Sequence, residues 1–333
     1  ILLLSNIIIV SISSLGRIFL TLAIVIGLLY FLGPREEIDT IIMFDNNSID
    51  DNIDVYLKRT EGSYLDITPG TEKRVVWHDK VGAKTKTSIV VMHGFSATSE
   101  EIRPLPDLVA KELGANIYFM RFKGHGRDGD ALASATAGDW LEDTAEAMEI
   151  GRRIGEKVII IGTSMGGTIA TILASTPNLN DDVAGYVLIS PLYGVNNPAA
   201  TLLSWPLARY WIPVVAGETR SFEPDNEGHE KYWTTSYPTV AALPMQAAIN
   251  YAVSLNISGI KNPGLFIFSE NDEVVDVDKI TEISARWGGN TTIEKRVMTS
   301  ADDPQSHVIA GSIRSPNQTQ DISELIINWA KKL

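Results

Sequence analysis

One run, Val158–Ala170 (VIIIGTSMGGTIA), restricts the fold of this chain more than any other stretch. Its four consecutive β-branched residues read as a buried strand, because both faces are apolar and no alternation is present. Gly162-Thr163-Ser164-Met165-Gly166 then breaks the strand, and small residues suited to a close-packed helix follow. A Gly-x-Ser-x-Gly turn between a strand and a helix holds its serine in a strained backbone conformation, with Oγ lifted clear of the chain. Gly162 and Gly166 flank the serine because a side chain at either position collides with the neighbouring strand or helix. The alternative, a serine in an ordinary glycine-rich turn, accounts for neither the apolar strand before it nor the helix after it. Ser164 is the candidate nucleophile.

The rest of the chain continues this alternation. Ser88–His93, Asn116–Phe122, Lys157–Gly162, Ala184–Ser190, Gly264–Ser269 and Thr292–Val297 read as strands. Ser99–Leu113, Thr136–Gly155, Met165–Ser175, Asp278–Trp287 and Ile322–Lys331 read as helices, with Thr98 or Ser99 as the first N-cap and Gly114 as that helix's stop. Ile53–Lys58 and Lys73–Trp77 look like antiparallel entry strands. Apolar strands alternating with helices imply an α/β fold with a mostly parallel central sheet flanked by helices. The formal charge of −13 argues against a basic patch that holds nucleic acid or an anionic surface. No cysteine is present, so disulfides, thiolate metal sites, a Cys nucleophile and an acylated Cys anchor are excluded. The acidic stretch Asp39–Asp54 lacks the spacing and central glycine of a calcium loop and reads as solvated linker.

Two segments stand outside the alternation. Residues 1–33 are almost wholly apolar, with Arg17 as the only charge. No small-x-small cleavage site follows, so an uncleaved N-terminal hydrophobic helix that anchors the chain to a membrane is preferred to a cleaved signal peptide. The remaining domain is expected outside the cytoplasm; secretion after cleavage and a cytoplasmic location are the alternatives. The second segment, residues 194–255, is too long for a simple connection. Rich in Trp, Tyr and Pro, it reads as a cap inserted over the carboxyl ends of the strands, where open α/β sheets bind ligands. Its aromatics, Trp205 and Trp211 among them, either line an apolar pocket or form the cap's own core. The expected division is thus 1–33, a first core part 34–193, the cap 194–255, and a second core part 256–333.

A nucleophilic serine needs a base and an orienting acid. Of the five histidines, His307 lies in Asp302-Asp303-Pro304-Gln305-Ser306-His307, between the last strand and the last helix. That position returns a loop over the sheet's carboxyl edge, beside the serine. Strand Gly264–Ser269 ends in Glu270-Asn271-Asp272-Glu273-Val274-Val275, which puts Asp272 on the same edge. Glu270, Glu273 and Asp276 are rivals for the acid. An oxyanion needs backbone donors. One is the Met165 N–H; the other is expected from His93-Gly94-Phe95-Ser96, and Phe95 is chosen. Gly94, Phe95 and Met165 also border the expected substrate site.

The elements HGFSAT, RFKGHGRDG, GDWLED, GTSMGG, SENDEVVD and QSHV occur in this order. Over roughly Thr87–Leu333 the chain resembles the α/β-hydrolase fold family, in particular its bacterial carboxylesterase and monoacylglycerol-lipase-like branch. The resemblance implies a Ser164, Asp272, His307 triad and an oxyanion donor at Phe95. It makes His93 and His125 structural, and leaves His229 without a role. It further implies hydrolysis of short- to medium-chain acyl esters or monoacylglycerols through an acyl-enzyme. No metal or organic cofactor is called for, and the partner is a small acyl ester. Peptidase, thioesterase and acyltransferase chemistry use the same triad. A non-catalytic, membrane-tethered binding protein is a second class, but such proteins usually lose a triad member and none is missing here.

Overall fold

The computed structural model describes residues 2–333, with side chains from Gly16 onward. In chain order its principal elements begin with α1 (Leu2–Leu32), α2 (Ile53–Glu61), β1 (Arg74–Val76), β2 (Thr85–Met92), α3 (Leu105–Leu113) and β3 (Asn116–Phe119). Next come α4 (Gly129–Ser134), α5 (Ala137–Ile154), β4 (Gly155–Thr163), α6 (Met165–Ala174) and β5 (Val183–Ile189). Then follow α7 (Ala208–Ala216), β6 (Thr219–Ser221), α8 (Glu227–Tyr232), β7 (Ser236–Pro238) and α9 (Ala242–Ser254). The chain closes with β8 (Gly264–Ser269), α10 (Val277–Arg286), β9 (Thr291–Arg296) and α11 (Pro316–Ala330).

The main sheet has the order β1-β3-β2-β4-β5-β8-β9. Every pairing in it is parallel except β1 with β3. Because a strand's side chains alternate between faces, the unbroken apolar runs split by parity. Val90, Met92, Val158, Ile160, Tyr186, Leu188, Phe266 and Phe268 face one layer, with Met148, Ile169, Ile249 and Ile280 of α5, α6, α9 and α10. Ile89, Val91, Ile159, Ile161, Val187, Ile189, Leu265 and Ile267 face the other, with Val109 of α3 and Ile322 and Ile326 of α11. Each fully buried aliphatic side chain contributes about 1.5–3 kcal/mol, and helices on both faces are what allow the strands to lack alternation.

Local signals and structure part company in a few places. Ile53–Lys58 is not an entry strand but the body of α2. Asn52 caps that helix by accepting the Val55 amide, and Ile53, Tyr56 and Leu57 form a buried helical face. The helix ends at Glu61, whose carboxylate takes two hydrogen bonds from the buried Arg121 guanidinium at 2.7 Å each. The helix read from Ser99 begins only at Leu105, since Pro104 disfavours the α conformation in Arg103. Its end at Gly114 is as expected, with φ of +64°. Thr136 caps α5 in a reciprocal capping box with Asp139.

The long connection between β5 and β8 contains two kinds of structure. Up to Pro238 it forms short helices and the two-stranded β6–β7 ribbon. Helix α9 instead packs into the main core, with Ala248, Ile249 and Ala252 buried. At the other end of the chain, the apolar residues Ile18–Leu32 of α1 are largely exposed. The close of α1 meets the insertion: the Leu207 amide donates to the Pro34 carbonyl at 2.7 Å, and Arg209 pairs with Glu36. Among the described residues no helix is long and apolar enough to cross a membrane. The expected anchor, residues 1–33, lies partly outside the described residues, since no side chain before Gly16 is described.

Candidate active site

Ser164 joins β4 to α6 with φ of +51° and ψ of −117°. A non-glycine residue there carries strain on the order of 1–3 kcal/mol, which surrounding packing must enforce. The glycines make that packing possible. A Cβ on Gly162 would lie 2.7 Å from the Gly166 carbonyl oxygen, and one on Gly166 would overlap the Met92 carbonyl. The Ser164 amide donates to the Ile189 carbonyl at 2.9 Å, and its own carbonyl accepts from Leu192 at 3.0 Å.

Two loops from the same sheet edge converge on this serine. His307 Nε2 lies 3.0 Å from Ser164 Oγ, and His307 Nδ1 lies 2.8 Å from Asp272 Oδ2. Asp272 Oδ1 accepts the Val274 and Val275 amides at 2.8 and 2.9 Å. Since a carboxylate only accepts, the His307 proton sits on Nδ1 and Nε2 is free to accept from the serine hydroxyl. Burial pushes the His307 pKa down. The charge and hydrogen bond of Asp272, joined by the charges of Glu101 and Asp303, outweigh that and leave it raised above 6.5. The rival acids are engaged elsewhere or exposed: Glu270 pairs with Lys295, Asp276 caps α10, and Glu273 faces solvent.

The His307 loop has its own anchor, which the sequence reading passed over. Asp303 Oδ2 accepts the His307 and Val308 amides at 3.0 and 2.7 Å, while Oδ1 pairs with the buried Arg314. The pattern D-x-x-x-H carries a signal for it, since a carboxylate so placed can cap the turn. The Glu273 amide donates to the Gln305 carbonyl at 2.9 Å and ties the two loops together.

The loop after β2 lies against the serine: a Cβ on Gly94 would sit 3.2 Å from Ser164 Cβ. The Gly94 carbonyl is held by His93 Nδ1 at 2.9 Å and by the Ala97 amide at 3.3 Å. His93 Nε2 accepts the Phe122 amide at 3.1 Å, which assigns the ring proton to Nδ1. Burial pushes the His93 pKa down to about 4, so the ring is neutral and this tautomer persists. In a planar trans peptide the N–H opposes the C=O, so the Phe95 amide points away from His93. Among the described residues neither the Phe95 nor the Met165 amide finds a hydrogen-bond partner. Met165 opens α6, where first-turn amides have no intrahelical acceptor. His125 lies against His93 with the rings tilted and their centroids 4.9 Å apart, fully buried and with its pKa pushed well down by that burial.

An apolar wall borders this constellation. The Phe95 ring meets Tyr237 edge-on at 5.5 Å, and Leu132 and Phe222 join them. Val308, next to His307, packs with Trp233 and Ala97. Trp205 and Trp211 lie elsewhere. They meet edge-on at 6.3 Å, and Trp205 also meets Tyr30 of α1 edge-on. The aromatics that reach Phe95 and the His307 loop are thus Tyr237, Phe222 and Trp233, which only the chain's return over the sheet brings there. A separate cleft of 690 Å³ beside the Asp272 turn is lined by Tyr193, Asn196, Gln246 and Val253, but not by Ser164, Phe95 or His307. Among the described residues no group of three or more His, Asp or Glu is placed to hold a metal ion.

A sequence profile described as the alpha/beta hydrolase family matches residues 89–306, from within β2 to the residue before His307. The chain belongs to the alpha/beta hydrolase family. The hydrolase is similar to a thermostable monoacylglycerol lipase of Bacillus sp. strain H-257, with 25% identity over 187 residues, 56% of this chain and 71% of that one. Solved structures that share its fold include a pair of lipolytic enzymes. One comes from the metagenome-derived lipolytic enzymes LipS and LipT, with TM-score 0.65 and 21% identity over 80% of this chain and 100% of that chain. The other is a monoacylglycerol lipase of Paleococcus ferrophilus, with TM-score 0.57 and 16% identity over 78% of this chain and 99% of that chain.

Proposed function

We propose that the hydrolase cleaves carboxylic esters, short- to medium-chain acyl esters or monoacylglycerols, through an acyl-enzyme on Ser164. The observation that carries this reading is the hydrogen-bonded series Ser164, His307, Asp272 beside two unpartnered amides. His307 Nε2 takes the Ser164 proton as Oγ attacks the ester carbonyl, and the negative oxygen that forms is received by the Phe95 and Met165 amides. His307 then gives the proton to the departing alkoxide. Water, deprotonated in turn by His307, releases the acid and restores the serine. Asp272 keeps the imidazole in its working tautomer and stabilises its charged form. No metal or organic cofactor enters these steps.

The apolar wall of Phe95, Phe222, Tyr237 and Trp233 supports an acyl chain as the recognised part of the substrate. In the same reading, residues from Gly194 to Pro238 act as the cap over that chain. The exposed apolar residues of α1 support attachment to a membrane; in the same reading the hydrolase domain lies outside the cytoplasm. Phase partitioning of the full chain against one starting at Pro34 tests this: equal partitioning overturns it. The activity itself is tested with p-nitrophenyl esters from acetate to palmitate, with Ser164→Ala as control. Activity peaking at short or medium chains and lost in the variant is expected. Equal turnover by Ser164→Ala, or no turnover of any ester by folded protein, refutes the assignment.

A further inference from the structure

Behind the loop that faces Ser164 lies a carboxyl group that the mechanism above does not use. Glu101 is 2% exposed. Acidic side chains are almost never so buried unless paired, yet among the described residues the carboxyl of Glu101 makes one hydrogen bond, from the Gly94 amide to Oε2 at 2.8 Å. Its other oxygen lies 2.7 Å from where a Cβ on Gly94 would stand, and that same Cβ would be 3.2 Å from Ser164 Cβ. The carboxyl and the serine therefore press on the same glycine.

The backbone of Glu101 is clamped from two sides. Its amide donates to the Thr98 carbonyl at 3.0 Å, within the loop that follows Gly94. Its carbonyl lies so close to Gly311, in the segment after His307, that a side chain there would have no room. The Ser312 amide reinforces this by donating to the Arg103 carbonyl at 2.8 Å. Glu101 thus spans the two loops whose spacing sets the site.

We propose that Glu101 is a positioning residue for ester hydrolysis: by accepting the Gly94 amide hydrogen it fixes the peptides around Gly94, and so the direction in which the Phe95 N–H points. The inference rests on the reading of Phe95 as an oxyanion donor. His93 and Ala97 hold the Gly94 carbonyl, which fixes one end of the Gly94–Phe95 peptide. Glu101 holds the amide on the other side of the same glycine. A glycine has a broad conformational range, so without the second tether the plane is free to rock. A donor moved off the developing oxyanion loses most of its effect, because only interactions made in the transition state raise kcat. The charged or titratable groups that face the carboxyl are His307 and Asp303, with the neutral His93 across the loop. Burial raises the Glu101 pKa to about 7.

The test uses the full chain with Glu101→Leu and Glu101→Gln, steady-state kinetics on p-nitrophenyl butyrate, thermal denaturation, and Ser164→Ala in parallel. Leu fills the buried volume and ends the burial of a carboxyl, which offsets the Gly94 amide it leaves unpartnered, so its melting temperature should stay close to that of the parent. Its kcat should fall about 10–100-fold, with KM changed less than about two-fold. Gln keeps an acceptor oxygen and should restore kcat to within about three-fold. A merely structural role predicts the opposite ordering, lowered stability with kcat intact. The inference is overturned if Glu101→Leu keeps kcat within about three-fold, or if Glu101→Gln is as slow as Glu101→Leu. If the parent protein hydrolyses no ester, or Ser164→Ala is equally active, the functional reading fails instead. An active parent with inactive Ser164→Ala and unaffected Glu101→Leu refutes the role of Glu101 alone.

Discussion

Replacing Asp272 by Asn changes one atom and should disable the site through a proton placed on the wrong nitrogen. The Val274 and Val275 amides both donate to Oδ1 at 2.8 and 2.9 Å. They hold the oxygen of the new amide in that place, so its NH2 group faces His307 Nδ1. Two donors cannot share that contact, so the imidazole moves its proton to Nε2, where it faces Ser164 Oγ and cannot accept. Flipping the Asn to restore the working tautomer would leave the buried Val275 and part-buried Val274 amides unsatisfied. At about 1–3 kcal/mol each, that costs roughly 2–6 kcal/mol. With 1.36 kcal/mol per decade, the competent state is reduced by roughly 30-fold to 3 × 10⁴-fold, and kcat should fall accordingly. The shape and volume of the site are unchanged, so KM should stay within about two-fold and the melting temperature within about 2 °C. Burst kinetics with a p-nitrophenyl ester, combined with active-site titration, separate a slow acylation from a loss of folded protein. A kcat for Asp272→Asn above about one tenth of the parent value would falsify the argument that these two amides and His307 share one carboxylate.

Other consequences are as direct. Attack requires neutral His307, whose pKa is raised by Asp272, Glu101 and Asp303 against the downward push of burial. Activity should therefore be full at alkaline pH and lost as pH falls, with the midpoint of kcat/KM above 6.5; a midpoint below that value contradicts the assigned environment. Gly166→Ala places a methyl group against the Met92 carbonyl, an overpacking worth about 1–3 kcal/mol. Thermal denaturation should register that loss together with a lower kcat; unchanged values would mean β2 and α6 are not in contact. Thr136→Ala removes the capping box of α5 and should cost about 1 kcal/mol while leaving kcat as it is. A fall in kcat at constant folded fraction would link that cap to the site.

Much of the fold was legible because the deciding signals are local or short in range. A strand buried on both faces shows as an unbroken β-branched run, as in Val158–Ile161. A turn that must admit a strained serine shows as glycines at Gly162 and Gly166. Where tertiary partners compete, the local signal misled. Ile53–Lys58 carries residues that suit a strand, but the Asn52 cap and the reach of Glu61 to Arg121 draw it into a helix. The aromatic insertion announced its length and composition, yet gave no means of telling Tyr237, which touches Phe95, from Trp205, which touches Tyr30.

The primary structure by itself determined the alternation of strands and helices, the strained serine turn, and the order in which Ser164, Asp272 and His307 appear. These follow from backbone sterics and hydrophobic periodicity, which act over a few residues. The resemblance already implies Asp272 over Glu270, Glu273 and Asp276; only the tertiary structure brings its carboxylate to 2.8 Å from His307 Nδ1, across 35 residues of chain. Glu101 behind Gly94 belongs to the same category, while Asp303 left a local trace in D-x-x-x-H but none of its pairing with Arg314. The amides these carboxyls accept lie within a few residues of chain, but what they meet beyond their own loops is set where loops converge at the sheet edge, and a one-dimensional pattern holds no record of that meeting.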